Sequence, residues 1–243
     1  MPDRVRLGIL TPSSNTVLEP LTSALLAGIP GASAHFSRFR VTEISLGREA
    51  LGQFELAPIL DAARLLADAK VQAIGWSGTS AGWLGLERDE ALCAAITKAT
   101  GIPACTSTLA LRELMRANGR RTLGLVSPYV DAVQARIVEN FARHGMPVVA
   151  ERHSGISVNW DFCLVGEPEL TRMVAEVAAD KPDAIAVFCT NLAAAQLASR
   201  WERDYHLAVY DSVATVLWKC LALAGAAPQR IKGWGGLFQT PAP

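Results

Sequence analysis

The stretch Gly8-Ile9-Leu10-Thr11-Pro12-Ser13 returns in the second half of the chain as Gly124-Leu125-Val126-Ser127-Pro128-Tyr129. Each copy is a short apolar run that stops in small polar residues and proline, the pattern of a buried strand reaching the edge of a sheet. A second pair lies at nearly the same displacement. Ala73-Ile74 leading to Gly78-Thr79-Ser80 answers Ala184-Ile185 leading to Cys189-Thr190-Asn191. The helical stretches before it match too, Ala67-Asp68-Ala69-Lys70 standing opposite Ala178-Ala179-Asp180-Lys181. A third, weaker pair sets Pro103-Ala104-Cys105-Thr106-Ser107 against Ala208-Val209-Tyr210-Asp211-Ser212. Three matches in one order imply two copies of one α/β unit.

The runs Arg6–Thr11, Ala73–Ser77, Ile102–Thr106, Thr122–Ser127, Ala184–Cys189 and Leu207–Asp211 read as strands alternating with Ala- and Leu-rich helices. That alternation predicts parallel sheets. The expected fold class is α/β, with two similar Rossmann-like α/β domains related by a pseudo-twofold and the active site in the cleft between them. The first repeat is expected over residues 1–118 and the second over 119–220, divided at the turn-like Asn118-Gly119-Arg120-Arg121. The tail 221–243, which carries Gly233-Trp234-Gly235-Gly236-Leu237-Phe238, is expected to pack back on the first repeat. Ligands of open parallel sheets bind beyond the carboxyl ends of the strands. That edge gathers Thr11-Pro12-Ser13-Ser14-Asn15 and Gly78-Thr79-Ser80 from one copy, Ser127-Pro128-Tyr129 and Cys189-Thr190-Asn191 from the other.

Composition narrows the classes of function. Hydrophobic residues make up 50% of the chain, and Lys plus Arg equal Asp plus Glu at 23 each. The chain thus lacks the basic excess that nucleic acid or an anionic membrane surface demands. The longest uncharged stretch, Pro20–Ser37, is broken by Gly28, Pro30 and Gly31, so no membrane span is predicted. Met1-Pro2-Asp3-Arg4-Val5-Arg6-Leu7 shows no signal-peptide pattern, and the expected location is cytoplasmic. The cysteines Cys93, Cys105, Cys163, Cys189 and Cys220 are odd in number and lack C-x-x-C spacing. With His35, His144, His153 and His206 also lacking ligand spacing, no metal site is predicted, and a cysteine with a role acts as a thiol. No dinucleotide or Walker A glycine motif is present, so no nucleotide cofactor is expected.

The edge loops offer a particular chemistry. Thr79, Ser80 and Tyr129 supply hydroxyl donors without charge, and a strand-to-helix turn at Gly78 adds backbone N–H groups. Such donors suit a carboxylate whose negative charge grows as it becomes an enediolate. Cys189, ending the opposite strand, donates or accepts a proton near neutral pH if its reference pKa of ~8.5 shifts modestly. Singly, each feature reads as a turn or a buried strand residue; the repeat is what gathers them at one edge. Cys93 and Cys220 fall in helix-core patterns, and Trp76, Trp83 and Trp234 are candidates to wall an apolar pocket.

At these landmarks the chain resembles the aspartate/glutamate racemase superfamily over nearly its whole length. Pro12-Ser13-Ser14-Asn15-Thr16 resembles the N-terminal motif of maleate cis-trans isomerases, whereas Gly78-Thr79-Ser80, Ser127-Pro128-Tyr129, Cys189 and the glycine-rich tail look like arylmalonate decarboxylases. The resemblance implies a cofactor-independent enzyme acting at the carbon alpha to a carboxylate, with Thr79, Ser80 and Tyr129 as dioxyanion-hole donors and Cys189 as proton donor. Ser14, Asn15, Gly78, Thr190 and Asn191 join them as candidate substrate-binding residues. Racemases and isomerases of the superfamily carry two active-site cysteines, whereas here Gly78 stands where the repeat sets Cys189. A single thiol protonates one face of a planar enediolate, so an arylmalonate-decarboxylase-like decarboxylase is the expected activity. The alternatives are a maleate-isomerase-like or Asp/Glu-racemase-like enzyme, or a non-catalytic module that binds small carboxylates. Asn15 and Asn191 favour isomerisation, being amides able to hold a second carboxylate whose stabilisation slows its loss. The implied partner is a small carboxylate or dicarboxylate; whether the chain forms a homo-oligomer stays open.

Overall fold

The computed structural model describes residues 4–241. Met1–Asp3, where the leader reading and the first expected domain begin, and Ala242–Pro243, at the end of the tail, lie outside the described residues.

Two four-stranded parallel sheets carry the fold. In the first, β1 (Val5–Pro12), β2 (Ala32–Phe39), β3 (Ala73–Trp76) and β4 (Ala104–Thr106) are ordered β2-β1-β3-β4. In the second, β5 (Leu123–Ser127), β6 (Val148–His153), β7 (Ala184–Val187) and β8 (Ala208–Asp211) are ordered β6-β5-β7-β8. Every run read as a strand overlaps one. The sequence reading missed β2 and β6, which occupy the same outer position in each sheet. Their largely half-exposed residues mix Ser, His, Glu and Arg with apolar ones, so neither shows the continuous apolar run of a central parallel strand.

The helices are α1 (Leu18–Leu26), α2 (Arg48–Gly52), α3 (Leu56–Asp68), α4 (Ala81–Leu84), α5 (Leu86–Thr100), α6 (Ser107–Ala117), α7 (Asp131–Arg143), α8 (Glu167–Ala178), α9 (Ala198–Tyr205) and α10 (Ser212–Leu223). The repeat is written into their packing. α3 buries Ile59, Ala62, Ala63 and Leu66 beside β1, and α8 buries Leu170, Met173, Val174 and Val177 beside β5. Both stripes have the i, i+3, i+4, i+7 spacing, and each fully buried large apolar side chain contributes roughly 1.5–3 kcal/mol. After each helix the chain turns through a left-handed lysine, Lys70 at φ 51° and Lys181 at φ 52°. It is then stitched to the first strand of its own copy. Gln72 Oε1 accepts from the Arg6 N–H at 2.6 Å, and Asp183 Oδ2 accepts from the Thr122 N–H at 2.9 Å.

The boundary at 220 falls inside α10, which crosses to pack on α6, β3 and β4 of the first unit. Cys220 thereby meets Cys105 at 3.4 Å between sulfurs. The tail touches both units: Asn118 Nδ2 donates to Thr240 Oγ1 at 3.0 Å, while the Gly235 N–H donates to Ser199 Oγ, the Gly236 N–H to Glu202 Oε2, and the short 3-10 turn Gly236–Gln239 rests on β8. No helix among the described residues is long and apolar enough to cross a membrane.

Two buried carboxyls leave a signature in stability. Asp89 on α5 and Asp211, which caps α10 by accepting from the Val213 and Ala214 N–H groups, each keep one oxygen without a hydrogen-bond partner. Burial raises both to about 7. Their neutral forms therefore stabilise the fold. That contribution is complete below about pH 4, where the unfolded carboxyls protonate, and is lost as pH rises through 7. The unfolding free energy from urea titrations is expected to fall between pH 4 and pH 7, and Asp89→Asn and Asp211→Asn each to flatten the slope. An unchanged slope in both variants would show that neither carboxyl titrates in this window.

Candidate active site

The register of the sheets sets the edge of the cleft. Leu10 lies opposite Trp76 and Val126 opposite Val187, and one residue beyond each central strand the Ser77 N–H donates to Leu10 O and the Phe188 N–H to Val126 O. The following residues, Gly78-Thr79-Ser80 and Cys189-Thr190-Asn191, leave the sheets in equivalent places. They meet across the cleft, where the Thr190 hydroxyl donates to Ser77 O at 3.2 Å and Thr79 Oγ1 pairs with Tyr129 Oη at 2.6 Å.

A cavity lies where these loops converge, lined by Gly78, Thr79, Ser80, Tyr129, Asn159, Cys189 and Thr190. Pro12, Val41, Ile44, Phe54, Trp76 and Trp83 supply its apolar wall. Its free volume is ≈ 20 Å³, room for about one water, so this conformation is closed. Across the cleft the Ile44 N–H donates to Ser157 O and the Asn159 N–H to Thr42 O, closing the cavity with segments from both halves.

The donor side is built from buried groups. Among the described residues the backbone N–H groups of Gly78, Thr79 and Ser80 have no hydrogen-bond partner, so the turn presents donors beside the Thr79 and Ser80 hydroxyls. Tyr129 is caged by edge-on contacts with Trp83 (centroids 5.3 Å apart) and Phe162 (5.5 Å). Burial, with the charge of a Cys189 thiolate second, holds its phenol well above the ordinary range, so it stays a neutral donor. Opposite, Cys189 Sγ accepts from the Asn191 N–H at 3.3 Å. Burial pushes this thiol up to about 12, although the Asn191 and Leu192 N–H groups and the Tyr129 hydroxyl pull the other way. The modest shift expected near neutrality is thus not what burial produces. A thiol raised in this way keeps its proton at neutral pH.

The remaining candidates divide. Gly78 and Thr190 line the cavity; Ser14, Asn15 and Asn191 stand outside its lining and spend their polar atoms on the protein. Asn15 Oδ1 accepts from the Val17 and Leu18 N–H groups at 2.9 Å, and its Nδ2 donates to Thr190 Oγ1. Asn191 Oδ1 accepts from the Thr16 N–H, and its Nδ2 donates to Asn159 O at 2.6 Å. Ser14 Oγ donates to Val41 O and accepts from Asn159 Nδ2. Neither amide is aimed at a second carboxylate in this conformation. Asn159, Phe54, Val41 and Ile44 were missed because they come from connecting segments without a repeat partner. Of the tryptophans, Trp76 and Trp83 wall the cavity and Trp234 does not.

Gly78 brings a correction. The repeat sets Gly78 opposite Cys189, but the place has no room for a side chain: a Cβ there would lie 2.1 Å from Trp76 Cζ2 and 2.3 Å from Cε2. The indole folds over Gly78, packs on Phe39 at 4.8 Å between centroids, and donates from Nε1 to Ser80 Oγ at 3.4 Å. The place equivalent to Cys189 is filled. Among the described residues no group of three or more His, Cys, Asp or Glu side chains is placed to hold a metal ion.

A family model described as arylmalonate decarboxylase matches residues 48–238. Arylmalonate decarboxylase from Bordetella bronchiseptica is 27% identical over 183 residues, 74% of this chain and 76% of that protein. Among solved structures, a Nocardia farcinica maleate cis-trans isomerase variant with a covalently bound succinylcysteine intermediate superposes with a TM-score of 0.89 at 20% identity, covering 99% of this chain and 100% of its own. A liganded double mutant of arylmalonate decarboxylase gives 0.86 at 22% identity over 98% of this chain and 100% of its own. At such identities the structural matches speak for the shared two-sheet fold.

Proposed function

The chain belongs to the arylmalonate decarboxylase family, and from that premise we propose that it decarboxylates a 2-substituted malonate, with Cys189 returning a proton to the α-carbon. Coarsely, it is a cofactor-independent decarboxylase or isomerase of the Asp/Glu racemase superfamily. The finer reading is carried by the asymmetry of the cavity: a protonated thiol at Cys189 on one side, and Gly78 under an indole at the equivalent position on the other.

In this reading one carboxylate is held by Thr79, Ser80, Tyr129 and the N–H groups of the turn. The bond from the α-carbon to the other carboxylate breaks, CO2 departs, and the electron pair passes into the enediolate. The S–H proton of Cys189 then transfers to the α-carbon, and the resulting thiolate, hydrogen-bonded by the Asn191 N–H, regains a proton from water. The donors meet more charge in the enediolate than in the starting carboxylate, so they lower the barrier. Val41, Ile44, Phe54 and Trp76 offer the departing carboxylate an apolar wall. Such a wall stabilises it less than water does and favours its loss as neutral CO2.

The test is turnover in D2O with substituted malonates, maleate and amino acids. Release of CO2 from a malonate with one deuterium added at the α-carbon is expected. Conversion of maleate to fumarate without CO2 release would overturn the reading. That second reading draws on the Pro12–Thr16 loop and on the likeness to maleate isomerases. Against it stand the burial that disfavours a thiolate at Cys189 and the absence of a second thiol at Gly78, where the indole of Trp76 fills the space.

Removal of single donors is expected to act on kcat. Thr79→Ala, Ser80→Ala and Tyr129→Phe should each lower it by ~10²-fold or more for a well-aligned donor, with little change in KM. Steady-state kinetics decide the matter, and a pure KM effect would mean that these groups bind substrate without stabilising the enediolate.

A further inference from the structure

β6 ends in Glu151-Arg152-His153, and strand alternation turns the first and third of these side chains to one face. There they meet α7, whose Asp131 and Gln134 stand one helical turn apart. His153 Nδ1 lies 2.8 Å from Glu151 Oε2, and His153 Nε2 lies 2.9 Å from Asp131 Oδ1. An ionised carboxylate only accepts, so both ring nitrogens donate and the half-buried imidazole carries a charge. Burial works against that charge, but the bonds to Asp131 and Glu151 outweigh it and hold the group above its ordinary range. β6 packs on β5, α7 and α8. β5 brings no charged side chain, and Arg136, Glu139 and Arg143 of α7 pair among themselves. The charges of α8 belong to the other face of the strand, where Glu176 takes Arg152 and Arg172 and Glu169 takes the Ser154 hydroxyl.

From Glu151 the bonds run inward with a single polarity. Its Oε2 also accepts from Gln134 Nε2 at 2.7 Å, which turns Gln134 Oε1 to accept from the Ser127 hydroxyl at 2.7 Å. With its proton spent there, Ser127 Oγ offers a lone pair to the Tyr129 N–H at 3.4 Å. Gln134, Ser127 and Tyr129 are all buried, where a lost partner is costly to replace. The segment following His153 runs along the same loop, the Ser154 N–H donating to Ser127 O and the Gly155 N–H to Tyr129 O. The far end of this chain is thus the backbone of the residue whose phenol reaches Thr79 in the cavity.

We propose that His153, Glu151 and Gln134 are positioning residues for Tyr129: the charged imidazole fixes, through this one-way chain of hydrogen bonds, the backbone that carries the phenol into the cavity. The proposal rests on the malonate reading for the task Tyr129 performs, and deepens it by tying that task to the charge on His153. The chain is complete while His153 is protonated and loses a bond as pH rises through its range.

The test is nuclear magnetic resonance of the full chain labelled with 15N-tyrosine, combined with kinetics. Of the three tyrosine amide signals, the one missing in Tyr129→Phe belongs to Tyr129. It is expected to shift with pH in step with the His153 ring signal. His153→Gln should abolish that shift. Gln134→Leu should abolish it as well, while His153 itself still titrates. With a malonate, wild-type kcat is expected to fall by about tenfold as His153 loses its proton, with little change in KM. His153→Gln should lack that pH dependence, and should add nothing to the loss already present in Tyr129→Phe. Melting temperatures check folding, and where Gln134→Leu melts early the half-buried His153→Gln carries the test. A Tyr129 amide that ignores pH in the wild type, or that titrates unchanged in a folded variant, overturns the proposal. So does the wild-type fall in kcat persisting in His153→Gln. Should the amide behave as expected while no malonate loses CO2, the positioning chain stands and the decarboxylase reading falls.

Discussion

Cys189→Ala is expected to reduce decarboxylation by ~10²- to 10⁴-fold, the contribution of a positioned general acid. Cys189 is the cysteine in the cavity wall, and its burial keeps the thiol protonated at neutral pH. Without it the enediolate waits for a proton from water. Water approaches without the fixed placement of a side chain, so the residual product of a prochiral malonate should also lose enantiomeric purity. Rate and purity falling together is the outcome that identifies a proton donor; a substrate-binding residue would cost rate alone. Cys93→Ala should keep full activity. Cys220→Ala should keep it too, with some loss of stability, because its side chain is fully buried against Cys105. Undiminished turnover by the Cys189 variant would remove the proposed acid from the mechanism.

Gly78→Cys, by contrast, is expected to damage the fold before it adds chemistry. The new Cβ would overlap the indole of Trp76, which is itself buried and held by Phe39 and Ser80. Overpacking of this kind costs typically ~1–3 kcal/mol, and the introduced thiol has no room to reach a substrate. The single variant should melt lower and still protonate one face. Combining it with Trp76→Leu trims the ring while keeping an apolar filling. In the double variant the thiol gains space on the face opposite Cys189, and exchange of the α-proton of added product with D2O is expected to appear. Exchange in the single variant would show that the indole yields easily; no exchange in a folded double variant would show that the two positions do not share a substrate.

The outcome at Gly78 shows where reading the chain stops being enough. The repeat was legible because it is written in local patterns: apolar runs that end in small polar residues, and helical stripes such as Ile59-Ala62-Ala63-Leu66 against Leu170-Met173-Val174-Val177. These patterns depend on which face of a strand or helix is buried, a property of the segment itself. They were enough to set the α/β class, the central strands of both sheets, and the edge at which Thr79, Ser80, Tyr129 and Cys189 emerge.

What a side chain does at that edge depends on partners brought near only by the folded chain. Asn15 and Thr16 are tied to Thr190 and Asn191 from the opposite half, which turned two amides from candidate ligands into stitches. Trp76 is two residues from Gly78, yet the direction of its ring follows from packing on Phe39 across the sheet. The outer strands β2 and β6, half exposed and mixed in composition, form because β1 and β5 offer them a hydrogen-bonding edge. α10 likewise packs across on α6, β3 and β4 of the first unit, a contact no local pattern in α10 specifies. The repeat and the chemical inventory of the cleft are local and can be read along the chain; which of those groups face the cavity is set only in the folded molecule, because close packing and the need of every buried polar atom for a partner act between distant parts of the chain.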